Sequence, residues 1–412
     1  MIPITKPFLG KEEILAAREV LHSGWVTQGP KVREFEEAFA KFTGAKYACA
    51  TSNCTTALHL ALKAVGVVPG NIVITPSHSF IATANAVRCC QAEPVFVDID
   101  EKDFNLSPRK LKNFLDSQCE KKGAFLYFRK KTELTSPESP LEYVDHSRES
   151  FGRVAAILTV HQMGMPCDLD AILELAARYH LPVVEDAACA IGSEYRGSDE
   201  IFEKIGRPRG DAACFSFHPR KILTTGDGGM LTTNHSAYNE KFHLWRQHGM
   251  SISAEARHIS KMVQIEEYPV TGYNYRMTDI QAAMGIEQLK KLPAIIERRR
   301  AIDKKYRAAL TDIPWIQPPL ESPQVRSNWQ SYPVRILNNA PRPRNAIMQY
   351  LLQNGIATRP GIMNAHQEKP YANSLWHLPT SERAREDVML LPFFTQMEMT
   401  DIQTITKVLR KL

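Results

Sequence analysis

One lysine lies in a short segment whose composition suits covalent chemistry. The segment SFHPRKILTTGDGG (216–229) places Lys221 among aromatic and aliphatic residues, just before a glycine-rich turn that lets backbone approach a ligand. A lysine amine becomes a good nucleophile when burial disfavours the ammonium and lowers its pKa. The alternative is a surface lysine whose stem covers apolar groups, which is the commoner fate of lysines. The glycine-rich turn and the preceding strand-like run favour the nucleophile.

Three further features could serve the same chemistry. Asp186 ends the apolar run LPVVEDAA, where a carboxylate needs a partner, either a structural ion pair or cap or a cationic ring nitrogen. The segment SNCTTALHLAL (52–62) opens a helix with hydroxyl residues, whose free N–H groups suit a phosphate, although simple capping gives the same pattern. Phe80 in SHSFIATANAV is an aromatic at a strand end, which alone indicates only core.

Taken together, these features indicate pyridoxal 5'-phosphate (PLP). This cofactor requires a lysine for an imine, an acid for the pyridinium nitrogen, an anion site and a flat contact for its ring. The acid keeps the ring nitrogen protonated, so that the ring accepts electrons when a Cα–H bond breaks. The sequence therefore predicts that Lys221 forms a Schiff base with PLP.

The elements that must position these residues form an α/β pattern. Apolar runs of strand length are mostly separated by helical patterns such as LDAILELAARYH (169–180), which predicts a mostly parallel sheet covered on both faces. The predicted strands are NIVITPS (71–77), EPVFVDI (93–99), VAAILTVH (154–161), LPVVEDAA (181–188), DAACFSFH (211–218) and GGMLTTN (228–234). Polar residues at the carboxyl ends of such strands point into the ligand crevice. By that rule the candidates are His161, Glu185, Asp186, Ser216 and His218.

Changes in composition and residue pattern along the chain predict two domains. Residues 1–285 would form a large PLP-binding domain with an N-terminal segment, and residues 286–412 a smaller C-terminal α+β domain. The polar segment at about 119–153 breaks the strand–helix rhythm. We interpret it as an extended surface loop or a small added hairpin outside the sheet core.

Composition and charge bear on which partners, metals and compartments we expect. The chain has 412 residues and a formal net charge of +6, without a long basic tract interleaved with aromatics, so we expect no nucleic-acid partner. No signal peptide or membrane span is evident, which predicts no membrane association. The eight cysteines are scattered without a CxxC pair, which favours buried free thiols, no metal site and a reducing compartment, by default the cytoplasm.

Many collinear motifs resemble those of the DegT/DnrJ/EryC1/StrS aminotransferase family. The resemblance covers nearly the whole chain in order, through HSGWVTQGPKVREFEEAFAKFTGAKYA, SNCTTALHLAL, HSFIATANAV, EPVFVDID, VHQMGMPCDLDAI, VVEDAACAIGSEY, CFSFHPRKILTTGDGGML, RQHGM and GYNYRMTDIQAAMGIEQL. It implies a fold type I, aspartate aminotransferase-like PLP enzyme. The expected reaction is transfer of an amino group, from glutamate by a ping-pong route, to a nucleotide-linked keto-sugar.

The resemblance also implies a role for each matching residue. Lys221 is the Schiff-base lysine and Asp186 the partner of the pyridine nitrogen. Ser216, together with Thr55 and the backbone of Cys54, would hold the phosphate, and Phe80 would lie against the cofactor ring. The match of Asn274, in GYNYR, implies that it reaches the phosphate of a neighbouring subunit's cofactor, so a homodimer with shared active sites is expected.

Three departures from the family pattern bear on these roles. Asn53-Cys54-Thr55 stands where Ser-Gly-Thr is common, so the phosphate loop is expected to run slightly differently. Cys189 replaces a glutamine or histidine that would bond the cofactor's ring hydroxyl, and a thiol is a weak donor. The 119–153 segment is longer than usual, and we favour a decorated surface loop over a part of the substrate mouth.

Other functions remain open at this stage. A sugar dehydratase of the same family is disfavoured, because histidine replaces the lysine in that branch and Lys221 is present. The acceptor could instead be a cyclitol or another ring ketone. A non-catalytic PLP-binding regulatory homologue is the third alternative, and the complete set of Lys221, Asp186 and Ser216 disfavours it.

Overall fold

A computed structural model describes residues 1–198, 200–253, 257–258, 260 and 262–412. The strands are β1 (Tyr47–Thr51), β2 (Ile72–Pro76), β3 (Glu93–Val97), β4 (Cys119–Lys122), β5 (Phe125–Phe128), β6 (Val154–Val160), β7 (Val183–Asp186), β8 (Glu194–Arg196), β9 (Phe202–Lys204), β10 (Ala212–Ser216), β11 (Gly229–Thr233), β12 (Ile316–Gln317), β13 (Val325–Arg326), β14 (Tyr332–Ile336), β15 (Arg359–Pro360) and β16 (Val388–Leu391). The α-helices are α1 (Lys11–Ser23), α2 (Pro30–Thr43), α3 (Cys54–Ala64), α4 (Ala82–Cys89), α5 (Pro108–Gln118), α6 (Leu169–Arg178), α7 (Ser236–Arg246), α8 (Asp279–Leu310), α9 (Arg344–Gln353), α10 (Pro379–Asp387) and α11 (Met399–Leu409).

A seven-stranded sheet in the order β1-β11-β10-β7-β6-β2-β3 organises most of the chain. The pairs from β10 through β7, β6 and β2 to β3 are parallel, whereas β11 runs antiparallel to both β10 and β1. Each of the six predicted strand segments contains one of these strands, and the mostly parallel α/β arrangement is confirmed. The run KYACATS adds β1, which the sequence pattern alone did not assign.

Helix α2 shows how the apolar pattern fixes the sheet. Phe35 and Phe39 are fully buried on one face of this helix. The ring of Phe35 lies 5.4 Å from that of Phe217, and the ring of Phe39 lies 5.0 Å from that of Phe215. The helix thereby packs against β10 and the residue that follows it, only a few residues before Lys221.

The 119–153 segment is more deeply packed than a surface loop. It contains the β4–β5 hairpin and short 3-10 turns at Lys131–Leu134 and Pro140–Tyr143. Leu126, Leu141 and Phe151 are buried and belong to the main hydrophobic core. The hairpin alternative is therefore confirmed. The segment carries its own apolar anchors, so it is not an extended surface loop, and its expected absence from the substrate mouth stays a prediction.

The C-terminal residues build a second, smaller sheet in the order β12-β14-β16-β15. Helix α8, 32 residues long, runs without interruption through positions 285 and 286, so the division into domains there stays a prediction. The N-terminal residue Ile2 pairs with Ile356, which ties the start of the chain to this region. Among the described helices, none is both long and apolar enough to cross a membrane.

Candidate active site

The carboxyl ends of adjacent strands bring several predicted residues together. In the β7–β10 pair Asp186 lies opposite Cys214, and in the β10–β11 pair Ser216 lies opposite Gly229. Lys221 follows in the loop between β10 and β11. This is the edge of a parallel sheet where ligands bind in open α/β folds, so the topology agrees with the placement expected from the strand-end rule.

Asp186 is buried and held in one orientation. Its side chain is 5% exposed; Oδ2 accepts a 2.8 Å hydrogen bond from Thr83 Oγ1, and Oδ1 accepts one of 3.1 Å from the Ala188 backbone N–H. Burial raises the pKa of the Asp186 carboxyl, while these two hydrogen bonds and the charges of Lys221 and His161 oppose that rise. A cation placed against this carboxylate would be strongly favoured, because it would relieve the cost of the buried charge.

Lys221 points back toward the strand that carries Asp186. Its Nζ lies 3.0 Å from Cys189 Sγ, and its side chain is partly buried. Burial acts to lower the pKa of Lys221, but Cys189 and Asp186 outweigh it, so that the pKa is raised. Burial therefore does not decide the pKa of Lys221 in the chain without cofactor, because acidic neighbours face the ammonium.

The Asn53-Cys54-Thr55 departure forms a capped helix start. Asn53 caps α3 and accepts a 2.9 Å hydrogen bond from the Thr56 N–H. The first N–H groups of a helix have no intrahelical acceptor, so those of Cys54 and Thr55 point outward. A Cβ added to Gly229 would lie 2.7 Å from Cys54 N. Only glycine therefore fits beside this loop, and the substituted loop still offers the donors that a phosphate needs.

Cys54 and Ser216 both lie by this helix start. The charges of Asp186, Lys221 and Cys189 reach the buried Cys54 thiol, and burial raises its pKa well above the ordinary value. A neutral thiol does not repel a phosphate. Ser216 Oγ accepts the His218 N–H at 3.4 Å and keeps its hydroxyl hydrogen for another acceptor.

Phe80 lies in the loop between β2 and α4 and is 53% exposed. Its carbonyl accepts a 3.0 Å hydrogen bond from the N–H of Thr83, the residue that also bonds Asp186. An exposed aromatic attached to the turn that holds the buried acid suits a flat ligand better than it suits core packing. The fit to PLP is therefore good at the ring, the nitrogen and the phosphate.

Asn274 precedes Tyr275, whose carbonyl accepts the Ser52 N–H at 2.8 Å just before the predicted phosphate loop. Asn274 is exposed and pairs through its backbone with Gln247. Asn274 does not cap α8, because that helix begins at Asp279 and Thr278 caps it through a hydrogen bond from Gln281 N. The exposed Asn274 side chain leaves its predicted contact with a second subunit as a prediction.

Two contributors were not assigned a role from the sequence. Thr83, three residues after Phe80, orients the Asp186 carboxylate. The only sequence signal for this role is its helical spacing from Phe80. His161, flagged only by its strand-end position, donates from Nε2 to Glu185 at 3.0 Å and accepts the Cys167 N–H at Nδ1. The backbone N–H of His161 also donates to the Asp186 carbonyl at 3.0 Å, so this buried His161–Glu185 pair is tied to the backbone of Asp186.

A separate groove of about 890 Å³ lies between α2 and α8. Phe42, Lys204, Leu289 and Arg300 are among the residues that line it, and none of the predicted site residues does. The chemistry-bearing side chains and this groove are therefore different places in this fold.

Comparison with known proteins identifies the chain. Residues 7–410 match the DegT/DnrJ/EryC1/StrS aminotransferase family. The spore coat polysaccharide biosynthesis protein SpsC of Bacillus subtilis is 33% identical over 417 residues, which cover 100% of this chain and 97% of SpsC. The aminotransferase TlmJ of Streptoalloteichus hindustanus is 30% identical, with a TM-score of 0.81 over 100% of this chain and 98% of TlmJ. DesI, solved in the presence of its TDP-sugar product, is 27% identical, with a TM-score of 0.79 over 100% of this chain and 92% of DesI.

These matches span the whole strand–helix framework described above, including the loops that carry Asp186 and Lys221. They confirm the predicted fold type I class, the cofactor and the resemblance to sugar aminotransferases. The chain belongs to the DegT/DnrJ/EryC1/StrS family and is a PLP-dependent aminotransferase.

Proposed function

We propose that this aminotransferase takes the amino group of glutamate and gives it to a nucleotide-linked keto-sugar in a ping-pong reaction. The observation that carries the proposal is that Lys221, whose Nζ lies 3.0 Å from Cys189 Sγ, and the buried acid Asp186 are both close to the start of α3, where free N–H groups can bind a phosphate. The TDP-sugar product named for DesI supports the nucleotide-linked substrate class.

Each predicted residue has a distinct task in this proposal. PLP supplies an aldehyde that combines with amines and a ring that takes up the electron pair of a broken Cα–H bond. Asp186 would keep the proton on the ring nitrogen, and Phe80 would lie against the ring. Lys221 Nζ would hold the cofactor between turnovers and would otherwise accept and return the proton at the substrate carbon.

The phosphate group of PLP needs only hydrogen-bond donors around it. The N–H groups at Cys54 and Thr55, the Thr55 hydroxyl and the Ser216 hydroxyl would provide them at the positive end of the α3 dipole. Cys189 would lie at the ring hydroxyl, where its weak donor leaves that oxygen less constrained than a glutamine would.

The same proposal includes a homodimer with shared active sites. The stretch 262–270 supports it through three apolar side chains, Met262, Val263 and Ile265, which are 79%, 94% and 82% exposed. Exposed apolar side chains grouped this closely are typical of an interaction surface. Asn274 follows that stretch and is itself exposed, so the same association would bring it to a partner's site.

The test follows the visible absorbance of the PLP-loaded protein through the two half-reactions. Glutamate alone should abolish the band and release one equivalent of 2-oxoglutarate per site. After glutamate is removed, one member of a panel of nucleotide-linked keto-sugars should restore the band and yield an amino sugar. The Lys221→Ala protein should show neither change.

Two results would contradict the proposal. Restoration by a free cyclitol ketone, and by no nucleotide-linked sugar, would assign the alternative acceptor class. A band that persists in saturating glutamate, while another amino acid abolishes it, would reject glutamate as the donor and leave the acceptor to be tested with that amino acid.

A further inference from the structure

Residues 327–331, between β13 and β14, contact both the loop that carries Cys189 and the loop that carries Lys221. We call this segment, Ser-Asn-Trp-Gln-Ser, the 327–331 clamp. It lies more than a hundred positions from Lys221 in the sequence. The side chains of Asn328 and Gln330 donate to backbone carbonyls of these two loops.

Asn328 holds the loop of Cys189. Its side chain is fully buried, and Nδ2 donates to the carbonyls of Cys189 and Ile191 at 2.8 and 2.9 Å. Its Oδ1 accepts the Gln330 N–H at 2.8 Å. Every hydrogen-bonding position of this amide except one acceptor lone pair is therefore used, and the loop carbonyls have no freedom to shift without losing partners.

Gln330 holds the loop of Lys221. Its Nε2 donates to the Arg220 carbonyl, the group directly before Lys221, at 2.8 Å, and its Oε1 accepts from Ser331 at 2.9 Å. Because Asn328 accepts the Gln330 N–H, the two amides form one connected unit. One end of this unit fixes the residue bearing the thiol and the other fixes the residue bearing the amine.

The clamp is anchored from helix α8. Arg299, buried, donates to the carbonyls of Trp329 and Gln330 at 2.8 and 2.9 Å. Burial lowers the pKa of Arg299 to about 9.

Two residues at the clamp have strained backbone. Trp329 and Met163 have φ angles of 51° and 55°, a region that side-chain-bearing residues rarely adopt, and the Ser331 N–H donates to the Met163 carbonyl at 3.4 Å. Such strained positions persist where the surroundings over-determine them, and they concentrate at clamps.

We propose that Asn328 and Gln330 are positioning residues that set the distance and angle between Lys221 Nζ and Cys189 Sγ. Their side chains touch neither Nζ nor Sγ, and they act through the carbonyls of Cys189 and Arg220. This inference rests on the proposed function in so far as Lys221 is the reactive amine. It predicts that the clamp governs how the amine is presented to the cofactor, beyond any effect on stability.

The experiment compares three variants of the full-length protein. Asn328→Ala removes the whole amide, and Gln330→Met removes the donor from a partly exposed side chain without adding a charge, so that it keeps about the same size and should fold. Asn71→Ala is the matched control. Asn71 is also buried, donates to the Ser150 carbonyl at 3.0 Å and accepts the Val68 N–H at 3.0 Å, but lies at the start of β2 away from the site.

Two readouts are expected to change in the clamp variants and not in the control. In PLP-loaded protein, the pH midpoint of the visible absorbance should move by about one unit, and kcat should fall about tenfold to a hundredfold with KM changed less than about twofold. In PLP-free protein, alkylation of Cys189 by iodoacetamide should change in rate. This is measured in a Cys89→Ala background, because Cys89 is the exposed cysteine and Cys189 the partly exposed one.

The outcomes separate this inference from the proposed function. Clamp variants that lose thermal stability like Asn71→Ala, with both the absorbance midpoint and the alkylation rate unchanged, would overturn the positioning role. If Lys221→Ala retained the absorbance band, the proposed role of Lys221 would fail. The alkylation rates would then still decide whether the clamp orients the Cys189 loop.

Discussion

The Asp186→Asn substitution tests the electrostatic centre of the site. The amide keeps the size of the side chain and one carbonyl oxygen, but it cannot carry a negative charge. In the wild-type protein the carboxylate is 5% exposed and is oriented by Thr83 and the Ala188 N–H. It therefore holds its charge ready for a cationic ring nitrogen without further reorganisation.

The expected loss follows from the burial of that pair. Removing one member of a buried ion pair costs roughly 3–5 kcal/mol, and each factor of ten in rate corresponds to about 1.4 kcal/mol. Asp186→Asn should therefore lower kcat about a hundredfold to a few thousandfold, while PLP still binds. Thr83→Val is the matched comparison, because it removes a single hydrogen bond to the same oxygen and leaves the charge, so its loss should be smaller.

The assay is single-turnover conversion of PLP-loaded protein by saturating glutamate, read from the visible absorbance, with cofactor content measured separately. A loss below about tenfold for Asp186→Asn would refute the reasoning, because the carboxylate would then not face the ring nitrogen. A loss from Thr83→Val as large as that from Asp186→Asn would show that orientation, not charge, dominates.

The PLP-free protein provides a control with the opposite sign. Burial raises the pKa of Asp186 in the folded chain, so its contribution to stability is present below the ordinary pKa and is lost as pH rises through the raised value. Asp186→Asn has no such titration. We expect the free energy of unfolding of the variant, relative to the wild type, to increase from acidic to neutral pH in urea titrations. An unchanged difference across that range would mean that the carboxylate is not desolvated.

Three further predictions concern the other parts of the site. Lys221→Ala should remove the visible absorbance and transamination with the circular dichroism spectrum unchanged, and near wild-type turnover would reject the assignment. Mixed dimers of Lys221→Ala and Asn274→Asp proteins should regain partial activity, because one site then carries both lesions and the other neither; confirmed heterodimers without any gain would reject the shared site. Gly229→Ala should weaken PLP binding, measured by equilibrium dialysis, because the added Cβ would lie 2.7 Å from Cys54 N; unchanged affinity would show that this strand end does not shape the phosphate loop.

The parallel sheet could be predicted because its strands are continuous apolar runs. VAAILTVH and LPVVEDAA contain β6 and β7 with every strand residue buried, which is the pattern of strands covered on both faces. Since reactive residues in such folds follow the strand ends, Asp186 and Ser216 could be found from their positions alone. The extent of α8 was harder to predict, because its helical pattern runs through a region where the composition of the chain changes.

The pKa of Lys221 could not be predicted, because it depends on which side chains face the amine. Burial alone would lower it, but Cys189, 32 positions away, and Asp186 reverse the direction. Their approach results from the pairing of β7 with β10, which no local pattern specifies. The same limit applies to Thr83, whose hydrogen bond to Asp186 spans 103 positions.

The 327–331 clamp shows most clearly where sequence patterns stop. Ser-Asn-Trp-Gln-Ser is a polar stretch with one tryptophan, and its composition suggests a turn. In the fold it carries a buried amide that bonds two carbonyls and a tryptophan in the left-handed region. Residues that act on backbone carbonyls need no particular partner side chain, so no pair of motifs reveals them. The identity of the reactive groups is therefore local information, whereas their geometry depends on residues that become adjacent only when the C-terminal region packs against the main sheet.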